Sequence, residues 1–287
     1  MQRIGILFSV VAVFLISSVQ AQTRTGNADA PSRFPKVTIA NSELRTIKST
    51  STGRDYDLYI HIPKQYDKDQ TAKYPVLYVL DGQWEFKLVD PVVGGLVYDQ
   101  YMPDVIIVGI TYSGENADYD GLRAMDFTPT PIEGLKGSGD GQKFLKFLKT
   151  ELIPFVEASY RVDPTRRVLM GGSFGGLFTL YAMFSDPSLF SAYFAACPAV
   201  VLGPFFKQEA DYARVHKDLP VKLYVAVGGW DELSGPVQEF VHIVRSRNYA
   251  GLQLEARIIE GERHAGSVME AFTRGLRFLF SEPVAQP

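Results

Sequence analysis

Gly171-Gly172-Ser173-Phe174-Gly175-Gly176 lies between a short run ending in the apolar residues Val168-Leu169-Met170 and the run Leu177-Phe178-Thr179-Leu180-Tyr181-Ala182. The first run reads as a strand and the second as a helix, so this Gly-x-Ser-x-Gly predicts a nucleophile elbow. The turn is tight enough to strain the serine and to leave no room for side chains at Gly171 and Gly175. It lifts the Ser173 hydroxyl above the sheet and aims the N-terminus of the next helix at a developing oxyanion. The residue after the nucleophile, Phe174, should supply one oxyanion N–H.

Outward from the elbow, the runs 76–80, 105–110, 192–196 and 221–227 are continuously apolar. Such runs fit strands covered on both faces, as in a parallel sheet. The segment 56–62 alternates instead, with Tyr56, Leu58, Ile60 and Ile62 on one side and Asp57, Tyr59 and His61 on the other. That is a half-buried antiparallel strand, and 36–39 and 44–49 read as short strands near it. Helix-period faces recur in between: Phe144, Leu145, Phe147, Leu148 and Leu152, then Val237, Phe240, Val241 and Val244, then 268–280. Antiparallel strands first and alternating strands and helices after predict an α/β-hydrolase fold. Its central sheet should be mostly parallel, with helices on both faces. The stretch 111–139, rich in glycine with Pro129 and Pro131, reads as one long loop.

A serine needs a base to take its proton, and in this fold the chain order is Ser, acid, His. Of the four histidines, His216, His242 and His264 follow Ser173. His242 falls within an amphipathic helix and His216 in a polar surface stretch. His264 sits in a loop between the strand 254–259 and the last helix, where the fold presents its base. The acid should follow the strand 221–227, where Gly228-Gly229-Trp230-Asp231-Glu232 offers two carboxylates. Asp231 is the stronger candidate, with Glu232, another carboxylate or a two-residue Ser–His arrangement as alternatives; both acids could equally cap the following helix. A second oxyanion N–H should come from Asp81-Gly82-Gln83-Trp84, from Gln83 or Gly82, with Gly82 allowing the tight backbone.

The bulk properties set limits. The 287 residues are 46% hydrophobic and 21% charged, with net charge −3. That balance fits one globular domain (33–283) and lacks the basic surface of nucleic-acid binders. Arg3 followed by the apolar run 4–19 and Val19-Gln20-Ala21 reads as a signal peptide (1–21), cleaved after Ala21. A mobile leader (22–32) follows. A periplasmic or secreted protein with no membrane attachment after cleavage is therefore expected. The lone Cys197 permits no internal disulfide and reads as a buried small side chain. His61 has no metal-ligand spacing around it, the glycine cluster lacks the Lys-Ser/Thr of a phosphate loop, and neither metal nor cofactor is expected.

The chain resembles the esterase family that includes the enterochelin esterases and the feruloyl and acetyl esterases of carbohydrates. The resemblance is carried by Tyr74-Pro75-Val76-Leu77-Tyr78-Val79-Leu80-Asp81-Gly82, Arg123 with Asp126-Phe127-Thr128-Pro129, Tyr160-Arg161-Val162-Asp163-Pro164-Thr165-Arg166-Arg167, Gly172-Ser173-Phe174-Gly175-Gly176-Leu177-Phe178 and Gly275-Leu276-Arg277-Phe278-Leu279. It is greatest to the branch of periplasmic trilactone-siderophore esterases. It implies a small-molecule ester or lactone as substrate and hydrolysis through an acyl-enzyme, with Ser173 and His264 matching nucleophile and base. For an anionic catechol substrate, Arg123 is the candidate cation with Lys136 behind it; pairing with Asp120 or Asp126 is its structural alternative. Trp84, with Phe86, Tyr112, Tyr119 and Phe127, would suit a planar acyl group or an ordinary core. Acyl transfer to an alcohol, and a silent periplasmic binding protein, are the competing functions. Oligomeric state is not legible.

Overall fold

The computed structural model describes residues 37–281, so the expected signal peptide (1–21) and most of the chain ahead of the first strand lie outside the described residues. The elements run β1 (Ser42–Lys48), β2 (Asp55–His61), β3 (Tyr74–Val79), α1 (Gly82–Tyr98), β4 (Ile106–Tyr112), α2 (Tyr119–Phe127) and α3 (Gly141–Phe147). After a π-helical turn (Leu148–Leu152) come α4 (Ile153–Ser159), β5 (Val162–Gly172), α5 (Phe174–Ser185), β6 (Ala192–Ala196) and α6 (Phe205–Val215). Then follow β7 (Lys222–Gly228), α7 (Ser234–Arg247), β8 (Gln253–Ile259) and α8 (His264–Phe280).

The eight strands form one sheet in the order β1-β2-β4-β3-β5-β6-β7-β8. β2 runs against both β1 and β4, and all pairings from β4–β3 to β7–β8 are parallel. The hydropathy patterns explain these placements. Every residue of β3, β4 and β6 is buried, as strands covered on both faces require. In β2, Tyr56, Leu58 and Ile60 are buried while Asp57, Tyr59 and His61 are only half-buried. Helix α5 is buried from Gly175 to Phe184 and apolar around its whole circumference, as a helix at the centre of a layer must be. Helices α1 and α8 pack together against the sheet, and α2, α3, α5 and α6 form a separate contiguous layer.

This topology locates the site. β4 lies on one side of β3 and β5 on the other, so the strand order reverses at β3. The carboxyl ends of β3 and β5 therefore flank a switch point, the crevice where open α/β sheets bind ligands.

Several expectations need correction. Residues 37–39 are not in a strand; Val37 is fully exposed, so this short apolar pair buries too little to hold one. The stretch 111–139 is not one loop, because it completes β4 and then forms α2, whose Asp118 side chain caps Gly121 N–H at 3.0 Å. The apolar face 144–152 does not run as one regular helix. Pro154, in the first turn of α4, has no N–H to return to the preceding turn, and the chain widens into the π-helical turn just before it. Helices α1 and α6 escape the sequence reading; Pro91 inside α1 and its exposed Gly94-Gly95 hide the period of Phe86, Val89, Val93 and Leu96.

Candidate active site

β5 ends at Gly172 and α5 begins at Phe174, leaving Ser173 as the whole turn. Its backbone sits at φ 58°, ψ −117°, a region costly for any residue with a side chain. The surroundings impose it. A Cβ on Gly171 would lie 2.4 Å from the backbone carbonyl of Gly175, and one on Gly176 3.0 Å from the carbonyl oxygen of Ala196. Ser173 N–H donates to that Ala196 oxygen at 2.9 Å, and the Ser173 carbonyl accepts from Leu177 and Ala199. The side chain is left half-buried, with the first N–H groups of α5 beside it.

Asp231 and His264 come together across the ends of β7 and β8. His264 Nδ1 and Asp231 Oδ2 are 2.8 Å apart. The aspartate side chain is 4% exposed and the imidazole 43%, so the acid is sheltered and the base open. Asp231 Oδ1 accepts the Leu233 N–H at 3.0 Å, so the acid also fastens the entry to α7. Burial disfavours its charge, but the Leu233 N–H, the Cys197 thiol and His264 outweigh that and hold the carboxyl below its usual range. The two turns are laced by backbone: Gly229 N–H donates to Ile259 at 2.8 Å and Trp230 N–H to Glu262 at 3.0 Å. Gly228 is required there, since a Cβ would come within 2.5 Å of the Glu262 oxygen. Glu232 is exposed and takes no part. Among the described residues Ser173 makes no hydrogen bond to His264; in unliganded enzymes such bonds are commonly long and tighten with substrate.

The turn after β3 supplies the facing wall. Leu80 N–H still pairs with Met170 of β5 at 2.9 Å, which keeps this turn beside the elbow. The left-handed residue is Asp81 (φ 53°, ψ 41°) and not Gly82. Gly82 is needed for a different reason: a Cβ there would sit 2.7 Å from the Gly109 backbone of β4. Trp84 and Glu85 N–H groups return to the Asp81 carbonyl, while Gly82, Gln83 and Phe174 N–H groups have no acceptor among the described residues. Open donors at two neighbouring helix starts are what an oxyanion hole requires.

Arg123 is placed differently from either sequence-based alternative. It pairs with Asp81, not Asp120 or Asp126, through two bonds of 2.9 and 2.8 Å. With 14% of its side chain exposed, it does not stand as a free cation facing solvent, and Lys136 is a surface residue. Asp126 instead pairs with Arg54 and accepts from Tyr56. Glu85, one turn into α1, has its carboxyl pushed up to about 7 by burial and by Asp81.

The aromatic residues divide. Phe86, Tyr112 and Phe127 are core, whereas Trp84 is 45% exposed with its ring against Tyr119. Trp230, 69% exposed, escaped the sequence reading, although its position beside Asp231 could have marked it. The two tryptophans of the chain thus stand exposed next to the oxyanion turn and the acid turn. Cys197 is buried as expected, yet its sulfur, Asp231 and His264 offer ligand atoms within 4.8 Å of one another. Among the described residues they are the group best placed to hold a metal, but burial pushes the thiol up to about 12, which opposes the thiolate a metal needs. His61 is not solitary: Nδ1 lies 2.6 Å from Asp90.

A family model described as “Putative esterase” matches residues 49–265. The ferri-bacillibactin esterase BesA of Bacillus subtilis (strain 168) is 27% identical over 264 residues, covering 84% of this chain and 90% of its own. The siderophore triacetylfusarinine C esterase of Aspergillus fumigatus is 27% identical over 214 residues, covering 71% and 72%. The crystal structure of the BES protein from Bacillus cereus superposes with a TM-score of 0.79 at 26% identity, covering 88% of this chain and all of that one. The fold is the α/β-hydrolase fold anticipated from the sequence.

Proposed function

From the premise that the chain belongs to this esterase family, we propose that it hydrolyses a small carboxylic ester or lactone through an acyl-enzyme on Ser173. The observation that carries the reading is the 2.8 Å contact of His264 Nδ1 with a sheltered Asp231, at the sheet edge that also holds the elbow. Asp231 accepts a hydrogen bond from Nδ1–H of His264 and so leaves the other ring nitrogen free as a base. Ser173 Oγ loses its proton to that nitrogen as it attacks the carbonyl carbon. The N–H groups of Phe174 and of Gln83 or Gly82 receive the oxygen that becomes negative. His264 then returns the proton to the departing alcohol, and water repeats the sequence to free the acid.

Relatives named for ferri-bacillibactin and triacetylfusarinine C favour a siderophore lactone or ester as substrate. The exposed Trp84 and Trp230 suit flat acyl groups at the mouth of the site. The test is turnover of a panel: p-nitrophenyl acetate and butyrate, methyl ferulate, acetylated xylan and a catechol trilactone. Selective cleavage of the trilactone is expected. Preference for feruloyl or acetyl esters would overturn the substrate while leaving the chemistry, and no turnover with any of them would overturn both.

A further inference from the structure

Asp81 stands at the N-cap of α1, where an aspartate ordinarily turns its carboxylate back onto the first N–H groups of its helix. Here it makes no such bond. Both oxygens are bound by Arg123 instead, Oδ1 by Nε at 2.9 Å and Oδ2 by Nη2 at 2.8 Å, and Oδ1 also accepts from the Gln83 side-chain amide at 3.4 Å. The pair is bidentate and mostly buried, a geometry in which the planar fork fixes orientation as well as distance. The Asp81 backbone is left-handed, whereas an N-cap residue is normally extended. On its other side the carboxylate closes over the elbow, leaving 3.3 Å to a Cβ built on Gly175. The guanidinium also lies over the ring of Phe174 at 5.1 Å and that of Trp84 at 5.6 Å. One side chain from α2 thus touches residues of both turns that carry open N–H groups.

We infer that Arg123 keeps the oxyanion hole open by holding the Asp81 carboxylate off the open N–H of Gln83. The inference rests on the esterase reading above. A helix start capped by its own aspartate is closed to another anion: its donors are occupied, and a negative charge already stands where the oxyanion would develop. Without Arg123, Asp81 is free to relax to the extended N-cap conformation and make that cap. Arg123 is therefore a positioning residue that acts through Asp81 and not by touching the ester.

The test compares variants on a neutral ester, p-nitrophenyl acetate, and on a catechol trilactone. Arg123→Ala should lower kcat on both by about 10²–10³-fold, the loss typical of one oxyanion donor, with little change in KM. Adding Asp81→Gly removes the carboxylate that closes the hole, and glycine accepts the left-handed backbone. The double variant should then regain about ten-fold or more over Arg123→Ala, a coupling that independent sites would not show. Thermal melts accompany each protein. If Arg123→Ala does not fold, Arg123→Lys, which lacks the bidentate fork, replaces it with the same expected order of activities. A double variant no more active than the single one overturns the inference, as does a loss confined to KM for the anionic trilactone. Failure of the esterase reading is separate: it would show as wild-type protein that turns over neither ester.

Discussion

The turns after β5 and after β3 do the same geometric work by different forces. Each ends a buried parallel strand, forces one non-glycine residue to positive φ, and starts a helix with open N–H groups. At Ser173 the conformation is bounded by backbone sterics, since a Cβ on Gly171 would lie 2.4 Å from the Gly175 backbone and one on Gly176 3.0 Å from the Ala196 oxygen. At Asp81 the side chain is gripped by charge, through an arginine 42 residues further along the chain. The first turn, 171–176, holds no charged residue. The second depends on a buried ion pair whose partners must both be present, because one left alone is a costly buried charge.

The largest effect belongs to the steric turn. Ser173→Ala should reduce kcat by up to ~10⁶-fold with an unchanged melting curve, the scale known for removing a hydrolase nucleophile. Near-normal turnover of p-nitrophenyl acetate by that variant would remove the elbow from the chemistry. Next comes the acid. Asp231→Asn should cost about 10⁴-fold in kcat, because the amide favours the wrong imidazole tautomer, while Glu232→Gln should change it little. Steady-state kinetics on both variants decides; equal losses would mean that the Asp231–His264 contact is only structural.

Stability separates the glycines that the elbow needs from those it does not. Gly171→Ala places a methyl group 2.4 Å from backbone and should lower unfolding free energy by about 3 kcal/mol or more. Gly95→Ala, on an exposed turn of α1 with open space around it, should raise stability by roughly 0.5–1 kcal/mol. Urea melts give both values, and similar results at the two sites would mean that the elbow is not sterically locked.

A pH dependence tests the charged turn. Glu85, whose carboxyl is raised from 4.5 to about 7 in the fold, binds its proton more tightly folded than unfolded. Its contribution to stability is present below about 4.5 and is lost as pH rises through about 7. Glu85→Gln should therefore narrow the drop in stability between pH 5 and pH 8 seen by urea melts. An unchanged drop would mean that burial and the nearby Asp81 do not raise the Glu85 carboxyl.

The same contrast explains what was legible in the sequence. The elbow is local: strand, glycines, serine and helix are contiguous, so its geometry can be read in a single pass. The parallel strands are legible because burial on both faces leaves unbroken apolar runs. Chain order points to His264 and to the neighbouring Asp231 and Glu232 once the elbow is placed, and the fold brings Asp231 to 2.8 Å from His264. The partner of Arg123 was not legible, because nothing in the spacing distinguishes Asp81 from the nearer Asp120 and Asp126. Helix α2, which carries Arg123, was hidden by the glycines and prolines that follow it. Asp81-Gly82 read as a turn with glycine as its flexible member, whereas the fold gives the positive φ to the aspartate and uses the glycine for close approach to β4.

The most direct test of the serine mechanism is labelling with a fluorophosphonate followed by peptide mapping. A single adduct on Ser173, abolished in Ser173→Ala and strongly slowed in Asp231→Asn, is the predicted result. No adduct, or an adduct on another residue, from protein that still cleaves esters would contradict the account.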